Sequence, residues 1–536
     1  MANAADIIAR RLHEAGCRYA FGIPGGETLA IMDALAAAGL RFVLTKHENS
    51  AGFMAEGVFH ATGAPGVMVA TLGPGVANAA TVIAHAMQDR VPLLVLTGCI
   101  DAVDALTYTH QIFDHRAMLA PITKASLTAV DGAIDVMIDK ALSIALDDQP
   151  GPVHVDIPVG VATSPQAVVA GVQRVRPAPV APAKSPDLER AQGYLRDAMR
   201  PLMIAGVDVL YHNATATVAE TVRDFGIPLI TTYKAKGILP EDHDLCLGAA
   251  GLSPTADKFL LPLFGQCDLV LLVGYDPIEM RMGWRNPWDR HKQVIEFSSV
   301  TNTHYMHQAR ISFVGDVGAG LEALRAGVKP QSGTWPGSEL QATRAALRAA
   351  FRPDEDWGPA AVVDTVRRVL PRNGVATVDS GAHRILLSQV WECYEARTLL
   401  QSNALGAMGS GLPLAIGFKL AEPQRPVIAF TGDAGLEMVM GELATLRDLR
   451  MPVTIVVFVD EQLGLIELKQ RGAGLKSLGV DFGATNFSAV AIALGGHGAW
   501  VRNRDALAHE LKTALGRDTF TIIACVIGRH SYDGRL

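Results

Sequence analysis

Asp433 and Asp460 are the two side chains whose placement in the chain first suggests chemistry. Asp433 lies in Thr431-Gly432-Asp433-Ala434-Gly435, directly after the apolar run Val427 to Phe430, and Asp460 closes a second apolar run, Pro452 to Val459. Runs this short and this apolar predict buried parallel strands. In an open parallel sheet ligands lie beyond the carboxyl ends of the strands. A right-handed crossover brings both ends to one edge, so the two carboxylates can face one crevice. Two hard oxygen ligands suit Mg²⁺, and small residues with free backbone N–H groups suit a diphosphate. Gly435 lets the backbone come close to a phosphate. The competing reading is a plain nucleotide-fold turn with two solvated acids, since Gly-Asp alone is a short signal.

Four further stretches carry polar residues at turns between predicted elements. Thr45-Lys46-His47-Glu48-Asn49 follows an apolar strand and precedes a helix of small residues. Burial in such a turn could hold the Glu48 carboxyl partly protonated; the alternative is an ordinary helix N-terminal acid. His110-Gln111-Ile112-Phe113-Asp114-His115 offers an amide, with His115 read as a loop histidine and His110 left open. Asp379-Ser380-Gly381-Ala382-His383 follows the strand Val375 to Val378, and Asn403 to Pro413 precedes an apolar helix. Met408 in that segment reads either as a core methionine or as a prop for a ligand.

These stretches together resemble the thiamine diphosphate (ThDP) enzymes, over nearly the whole chain. Gly432-Asp433, about two dozen residues and a polar strand end is similar to that family's diphosphate motif. The resemblance assigns the metal to Asp433, Asp460 and the backbone of Gln462. The family usually has Asn-Asn where this chain has Val459-Asp460, and a Val-Asp pair resembles the catabolic acetolactate synthase branch. The Glu48 segment resembles the catalytic His-Glu stretch, flanked by the family-like Ile23-Pro24-Gly25-Gly26 and Gly73-Pro74-Gly75-Val76-Ala77-Asn78. In the family such a Glu bonds N1′ of the aminopyrimidine and favours the imino form that takes the C2 proton. Gly25 and Asn78 are carried over as cofactor contacts. So are Ala382 and His383 near the phosphates, Gly406 near N4′ and Met408 under the bent cofactor. Ala434, Gly435, Leu463, Gly464 and Leu465 complete the set. Gln111 and Lys124 match an active-site Gln and a Thr-Lys pair of acetolactate synthases. Leu465 and Ile466 are expected to wall the substrate side chain. Lys469 stands where biosynthetic relatives have Trp; it reads as a solvated lysine or as a contact to a substrate carboxylate.

The elements that must position these residues alternate strand and helix three times, which predicts an α/β protein of three doubly wound parallel sheets. The expected units are residues 1–165, binding the pyrimidine, 186–328, central, and 356–536, binding the diphosphate. A proline-rich linker, Thr163 to Pro186, and a second around Lys329 to Ser338 separate them. The 536 residues are 49% hydrophobic and 19% charged with net charge −7, which fits several cores and no nucleic-acid or membrane-surface partner. Six scattered cysteines without a CxxC pair read as buried thiols of a reducing compartment. The start reads as an amphipathic helix rather than a signal peptide, so a cytoplasmic protein is expected. Gly206-Val207-Asp208 lacks GxGxxG, so neither FAD nor NAD is expected. The resemblance implies ThDP and Mg²⁺ as cofactors and a 2-oxo acid as substrate, decarboxylated and joined to a second carbonyl compound. Release of an aldehyde is the alternative, and a non-catalytic ThDP-binding protein a third reading. It also implies a homodimer or homotetramer with active sites at the subunit interface.

Overall fold

The structure is a computed structural model that describes residues 2–167, 177–278 and 280–536. Part of the expected first linker, and Glu279 of the central segment, lie outside the described residues. Val-, Ile- and Leu-rich runs bounded by Gly, Pro and Asp give short strands, the inner ones buried on both faces, and the strands assemble into three parallel six-stranded sheets flanked by helices. The first sheet is built from Tyr19–Ile23, Arg41–Leu44, Gly66–Ala70, Leu93–Cys99, Ala125–Thr128 and Pro152–Pro158. Its spatial order by position in the chain is second, first, third, fourth, sixth, fifth. The third sheet repeats that order with Val375–Val378, Leu399–Gln401, Val427–Gly432, Thr454–Val459, His497–Val501 and Thr521–Val526. The middle sheet runs third, second, first, fourth, fifth, sixth, from Pro201–Ala205 to Ile311–Val314. No helix among the described residues is long and apolar enough to cross a membrane. The six cysteines are free; all but Cys99 are buried.

Two predicted details differ. Apolar residues recur at helical spacing from Leu436 to Leu449, which by itself predicts one helix, but the segment forms two, Asp433–Met438 and Glu442–Leu449. Gly441 sits against the Lys46 side chain at the break, and Glu442 accepts the Lys46 N–H at 2.9 Å, so a contact to the first unit overrides helical periodicity. The second linker is not free either: Trp335 is buried and donates to the Pro201 carbonyl, and helix Glu339–Phe351 follows it.

Helices Glu48–Thr62 and Gly411–Ala421 clamp the first unit on the third. A Cβ on Gly57 would lie 2.4 Å from the Leu414 carbonyl oxygen, and one on Gly417 only 1.9 Å from that of Met54. The two helices touch backbone to backbone, which these glycines alone permit. Beside this contact lies a buried charge cluster shared by all three units. His85 bonds Glu56 at 2.7 Å and Asp89 at 3.0 Å, and Lys234 of the central unit meets Asp89 at 2.7 Å. Asp89 also accepts the N–H groups of Asn403 and Ala404, fixing the start of the segment that carries Gly406 and Met408.

The cluster should make stability depend on pH. Burial alone would lower His85, but the Glu56 and Asp89 carboxylates outweigh it and hold the imidazolium up to about 9, from an ordinary 6.5. The folded form therefore keeps a proton that the unfolded chain loses, and stability falls as pH rises from about 6.5 through about 9. His60, the second partner of Glu56, goes the other way: burial pushes it down to about 4, so folding resists its protonation and stability falls as pH drops below about 6.5. Burial would raise Glu56, yet His85 and His60 hold it at about 2, so it stays charged throughout that range. These two contributions together peak near pH 6.5, and thermal unfolding followed from there to about 9.5 should show the alkaline fall. His85→Gln should cost about 3–5 kcal/mol at the peak and flatten the alkaline fall. An unchanged alkaline slope in that variant would show that the cluster is not its source.

Candidate active site

The third sheet reverses its winding between Val375–Val378 and Val427–Gly432, which are hydrogen-bonded neighbours. A crevice opens where such neighbours send their chains to opposite sides. Here it is a cavity of about 230 Å³, lined by Ser380–His383, Gly406, Met408, Gly432–Gly435, Asp460, Gln462–Ile466, Phe458 and Tyr532. Every predicted third-unit residue lies on this wall: Ala382, His383, Gly406, Met408, Asp433, Ala434, Gly435, Asp460, Gln462, Leu463, Gly464 and Leu465.

Asp433 is the keystone of the crevice. It opens helix Asp433–Met438; one carboxylate oxygen accepts the Ala434 N–H at 2.9 Å, and the other accepts those of Asp460 at 3.1 Å and Glu461 at 2.8 Å. Strand Thr454–Val459, the neighbour of Val427–Gly432, is thereby tied end to end with it. Glu461 takes a left-handed φ of 54° to make this bend. Asp460 lies against Gly464, where a Cβ would come within 2.8 Å of its Oδ2. Burial, then the Asp433 charge, pushes the Asp460 carboxyl up to about 7, and burial also raises Asp433. Two close carboxylates of this kind need either a shared proton or a cation between them. Three buried polar atoms on the wall lack a protein partner: Ser380 Oγ, His383 Nε2 and Gln462 Oε1. His383 stacks on Phe458, and burial, reinforced by Arg384, lowers it to about 3. Helix Ala382–Val390 starts at the crevice, and helix N-termini bind phosphates. Hard oxygen ligands at one end and unsatisfied polar atoms beside a helix N-terminus at the other fit a divalent metal and a diphosphate.

Gly435 has a reason the sequence did not reveal. A Cβ there would stand 2.0 Å from Asp379 Oδ2. Asp379 is buried and accepts the Ser380 and Ser410 N–H groups, bracing the loops on both sides of the crevice. Tyr532 and Phe458 were likewise not singled out, because a lone aromatic at the end of a strand or in a tail carries no pattern.

The first unit gathers Gly25, Glu48, Asn78 and Gln111 beyond the strand ends of its own sheet. Glu48 is buried and opens helix Glu48–Thr62. Its Oε2 accepts from Asn78 Nδ2 at 3.0 Å, while Oε1 faces Gly75, whose absent Cβ would be 3.4 Å away. Gly25 packs on Thr71, and Gly73 packs on the Gln111 carbonyl, leaving no room for a Cβ at either position. Gln111 is exposed, with φ 60°. His115 is not a free loop histidine. It is buried; Nδ1 bonds Asp156 at 2.8 Å, and Nε2 accepts the Gly73 N–H at 3.1 Å. His115, His154 and Asp156 are close enough to ligate a metal, but each ring nitrogen already has a protein partner. Lys124 points its ammonium at the Asp147 and Asp148 carbonyls, 3.1 and 3.3 Å away. Lys469 is exposed. No first-unit residue lines the 230 Å³ cavity among the described residues.

Comparison with known proteins agrees with this layout. Residues 2–118 match the family model described as thiamine pyrophosphate enzyme, N-terminal TPP binding domain. Residues 188–324 match the central domain of the same family, and 379–525 its C-terminal TPP binding domain. An acetolactate synthase of Bacillus subtilis is 29% identical over 97% of this chain and 92% of its own length. A probable 2-ketoarginine decarboxylase of Pseudomonas aeruginosa is 31% identical over 97% of this chain and 93% of its own. An acetolactate synthase isozyme 1 large subunit of Escherichia coli is 32% identical over 87% and 83%. The chain belongs to the thiamine pyrophosphate enzyme family, whose acetolactate synthase-like members use thiamine diphosphate with a divalent metal.

Proposed function

We propose that this chain decarboxylates a 2-oxo acid and joins the remaining acyl unit to a second 2-oxo acid, in the manner of an acetolactate synthase. One carbon–carbon bond breaks to release carbon dioxide, one forms to the second carbonyl carbon, and one proton is taken up. The observation that carries this reading is the apolar share of the cavity lining. Leu463, Leu465, Ile466 and Met408 stand there, and none can donate a proton. Side chains of this kind would keep water away from a reacting carbon and leave it to a carbon electrophile.

Bound thiamine diphosphate supplies the nucleophilic carbon and the electron sink. Asp433, Asp460 and the Gln462 backbone hold Mg²⁺. Ser380, His383 and the backbone of Ala382, Ala434 and Gly435 hold the diphosphate. Gly406 and Met408 support the rings. Glu48 holds a proton at the aminopyrimidine N1′ through Oε1, its other oxygen being fixed by Asn78. The Gln111 amide orients a substrate oxygen, and Leu465 and Ile466 exclude water. Glu48 and the metal carboxylates belong to different units, and among the described residues the third-unit cavity has no first-unit lining, so the active unit is a dimer or a tetramer made of dimers. Exposed apolar residues flank both halves as an interface requires: Val103, Leu106, Tyr108 and Phe113 near Gln111, and Met438, Ile466, Leu475 and Leu478 near the cavity. A second reading, release of an aldehyde, draws support from the decarboxylase relative.

Four outcomes test these assignments. Incubation with a panel of 2-oxo acids, with products identified by mass, should give carbon dioxide and a 2-hydroxy-3-oxo acid. Aldehyde as the main product would establish the decarboxylase reading instead. Glu48→Gln should bind ThDP yet slow exchange of the cofactor C2 proton by about 10²-fold or more; exchange at the wild-type rate would remove Glu48 from this role. Asp433→Ala should weaken ThDP binding about tenfold or more together with Mg²⁺. Asp460→Asn should be mild, since it keeps the ligand oxygen, and a loss as large as that of Asp433→Ala would show the metal set to be misassigned.

A further inference from the structure

A cavity of about 190 Å³ lies in the first unit beside Gln111. It sits at the carboxyl ends of strands Leu93–Cys99 and Pro152–Pro158, which are hydrogen-bonded neighbours, with the segment from Ala105 to Arg116 across from them. Leu72, Ile100, Ala105, Ile112 and Phe113 make much of its lining apolar. Gln111 lines it too, so a substrate oxygen held by that amide would have this space next to it.

Asp156 is the buried carboxylate of that lining. Its Oδ1 accepts from Thr97 Oγ1 at 2.7 Å and from His115 Nδ1 at 2.8 Å, and His154 Nε2 stands 3.5 Å away. His115 Nε2 accepts the Gly73 N–H, so that ring is neutral and its one proton points at Asp156. Burial would raise the Asp156 carboxyl, but His115, His154 and Thr97 hold it below the usual carboxylate range, so it stays ionised. All of these partners meet Oδ1. Oδ2 accepts from no group among the described residues, and 10% of the side chain stays exposed. No lysine or arginine among the described residues forms an ion pair with Asp156. Burial, then the Asp156 charge, pushes the Cys99 thiol in the same wall up to about 12, so it adds no charge. The other charged groups of the lining are exposed: Asp114, which caps its helix, and Arg116.

An ionised carboxylate with one oxygen fixed and the other open is an acceptor already aimed, and hydrogen bonds between ionised partners are the strong ones. We propose that this cavity receives the side chain of the donor 2-oxo acid, and that this side chain is a short apolar chain ending in an ammonium or guanidinium that donates to Asp156 Oδ2. The inference rests on the 2-oxo acid reading given above and narrows its substrate class. An anionic side chain would meet the Asp156 charge, and a purely apolar one would cover Oδ2 without giving it a partner.

The test uses the full chain saturated with ThDP and Mg²⁺. Butylguanidinium, butylammonium and N-butylurea, the neutral isostere of the first, are titrated separately by calorimetry. At least one cation should bind saturably and about tenfold or more tighter than N-butylurea. Asp156→Asn should remove that preference. Because Asp156 also holds His115, a second variant of opposite sign is needed: Arg116→Gln, an exposed change, should tighten cation binding severalfold. In turnover, 5-guanidino-2-oxopentanoate should show kcat/KM about tenfold or more above its neutral isostere 5-ureido-2-oxopentanoate. If no 2-oxo acid yields carbon dioxide, the underlying reading fails, and the cation site then stands or falls on the binding comparison alone. The proposal is overturned if neither cation binds tighter than N-butylurea, if Asp156→Asn keeps the preference, if Arg116→Gln weakens cation binding, or if the ureido acid is turned over as well as the guanidino acid.

Discussion

The cofactor crevice depends on one carboxylate being held by backbone. Asp433 accepts three N–H groups, one from its own helix and two from the loop that leaves the next strand. Buried carboxylates are costly unless fully hydrogen-bonded. Here the bonds both meet that cost and fix the separation of two strand ends. Asp460 is brought beside Asp433 by the same loop, and burial there, then the Asp433 charge, raises its pKa. The charge problem at the site is thus created by the bonds that build it, and a divalent cation is the partner that resolves it.

Around this carboxylate the backbone is packed too closely for side chains. Gly435 is forced by Asp379, Gly464 by Asp460, and Gly57 and Gly417 by the opposing carbonyls of two helices. These close approaches make the crevice rigid before any ligand arrives, which is the condition for electrostatic pre-organisation. The Glu56–His85–Asp89–Lys234 cluster extends the same rigidity across units. Through Asp89 it sets the backbone of Asn403 and Ala404, and so the approach of Gly406 and Met408 to the crevice. Replacing such a cluster with apolar residues would often be neutral for stability, so its value here lies in the register it imposes on that loop.

Much of this was legible in the sequence, and the parts that were not share a cause. Apolar runs ending in Asp433 and Asp460 announced strands and the crevice, because a fully buried parallel strand has few other ways to be written. The edge strands Leu399–Gln401 and His497–Val501 went unread, being too short or too weakly apolar to stand out. Asp379, His115 and Tyr532 could not be assigned, since their roles come from contacts with residues far away in the chain. Asp379 is recognisable only once Gly435 is seen against it, and His115 only once Asp156 and Gly73 are in place. The break at Gly441 belongs to the same class: local periodicity ran through it, and a contact to Lys46 decided otherwise.

The first and third sheets share one strand order, and each places its cluster where that order reverses. In the third sheet Asp379 to His383 follow one strand of the reversal and Asp433 to Gly435 the other. In the first sheet Gly25 follows one and Thr71 the other, and the two are in contact. Topology therefore fixes where each half of a ligand can lie, and side chains decide which half it is. The third-sheet crevice carries two carboxylates and a helix N-terminus, a pairing suited to a metal and phosphates. The first-sheet cluster offers one buried carboxylate with one oxygen already committed to Asn78, a pairing suited to a single directed hydrogen bond. A ligand needing both must bridge two sheets, and the 230 Å³ cavity of one chain supplies only one of them. Neither crevice alone offers both the paired carboxylates of Asp433 and Asp460 and the half-committed carboxylate of Glu48.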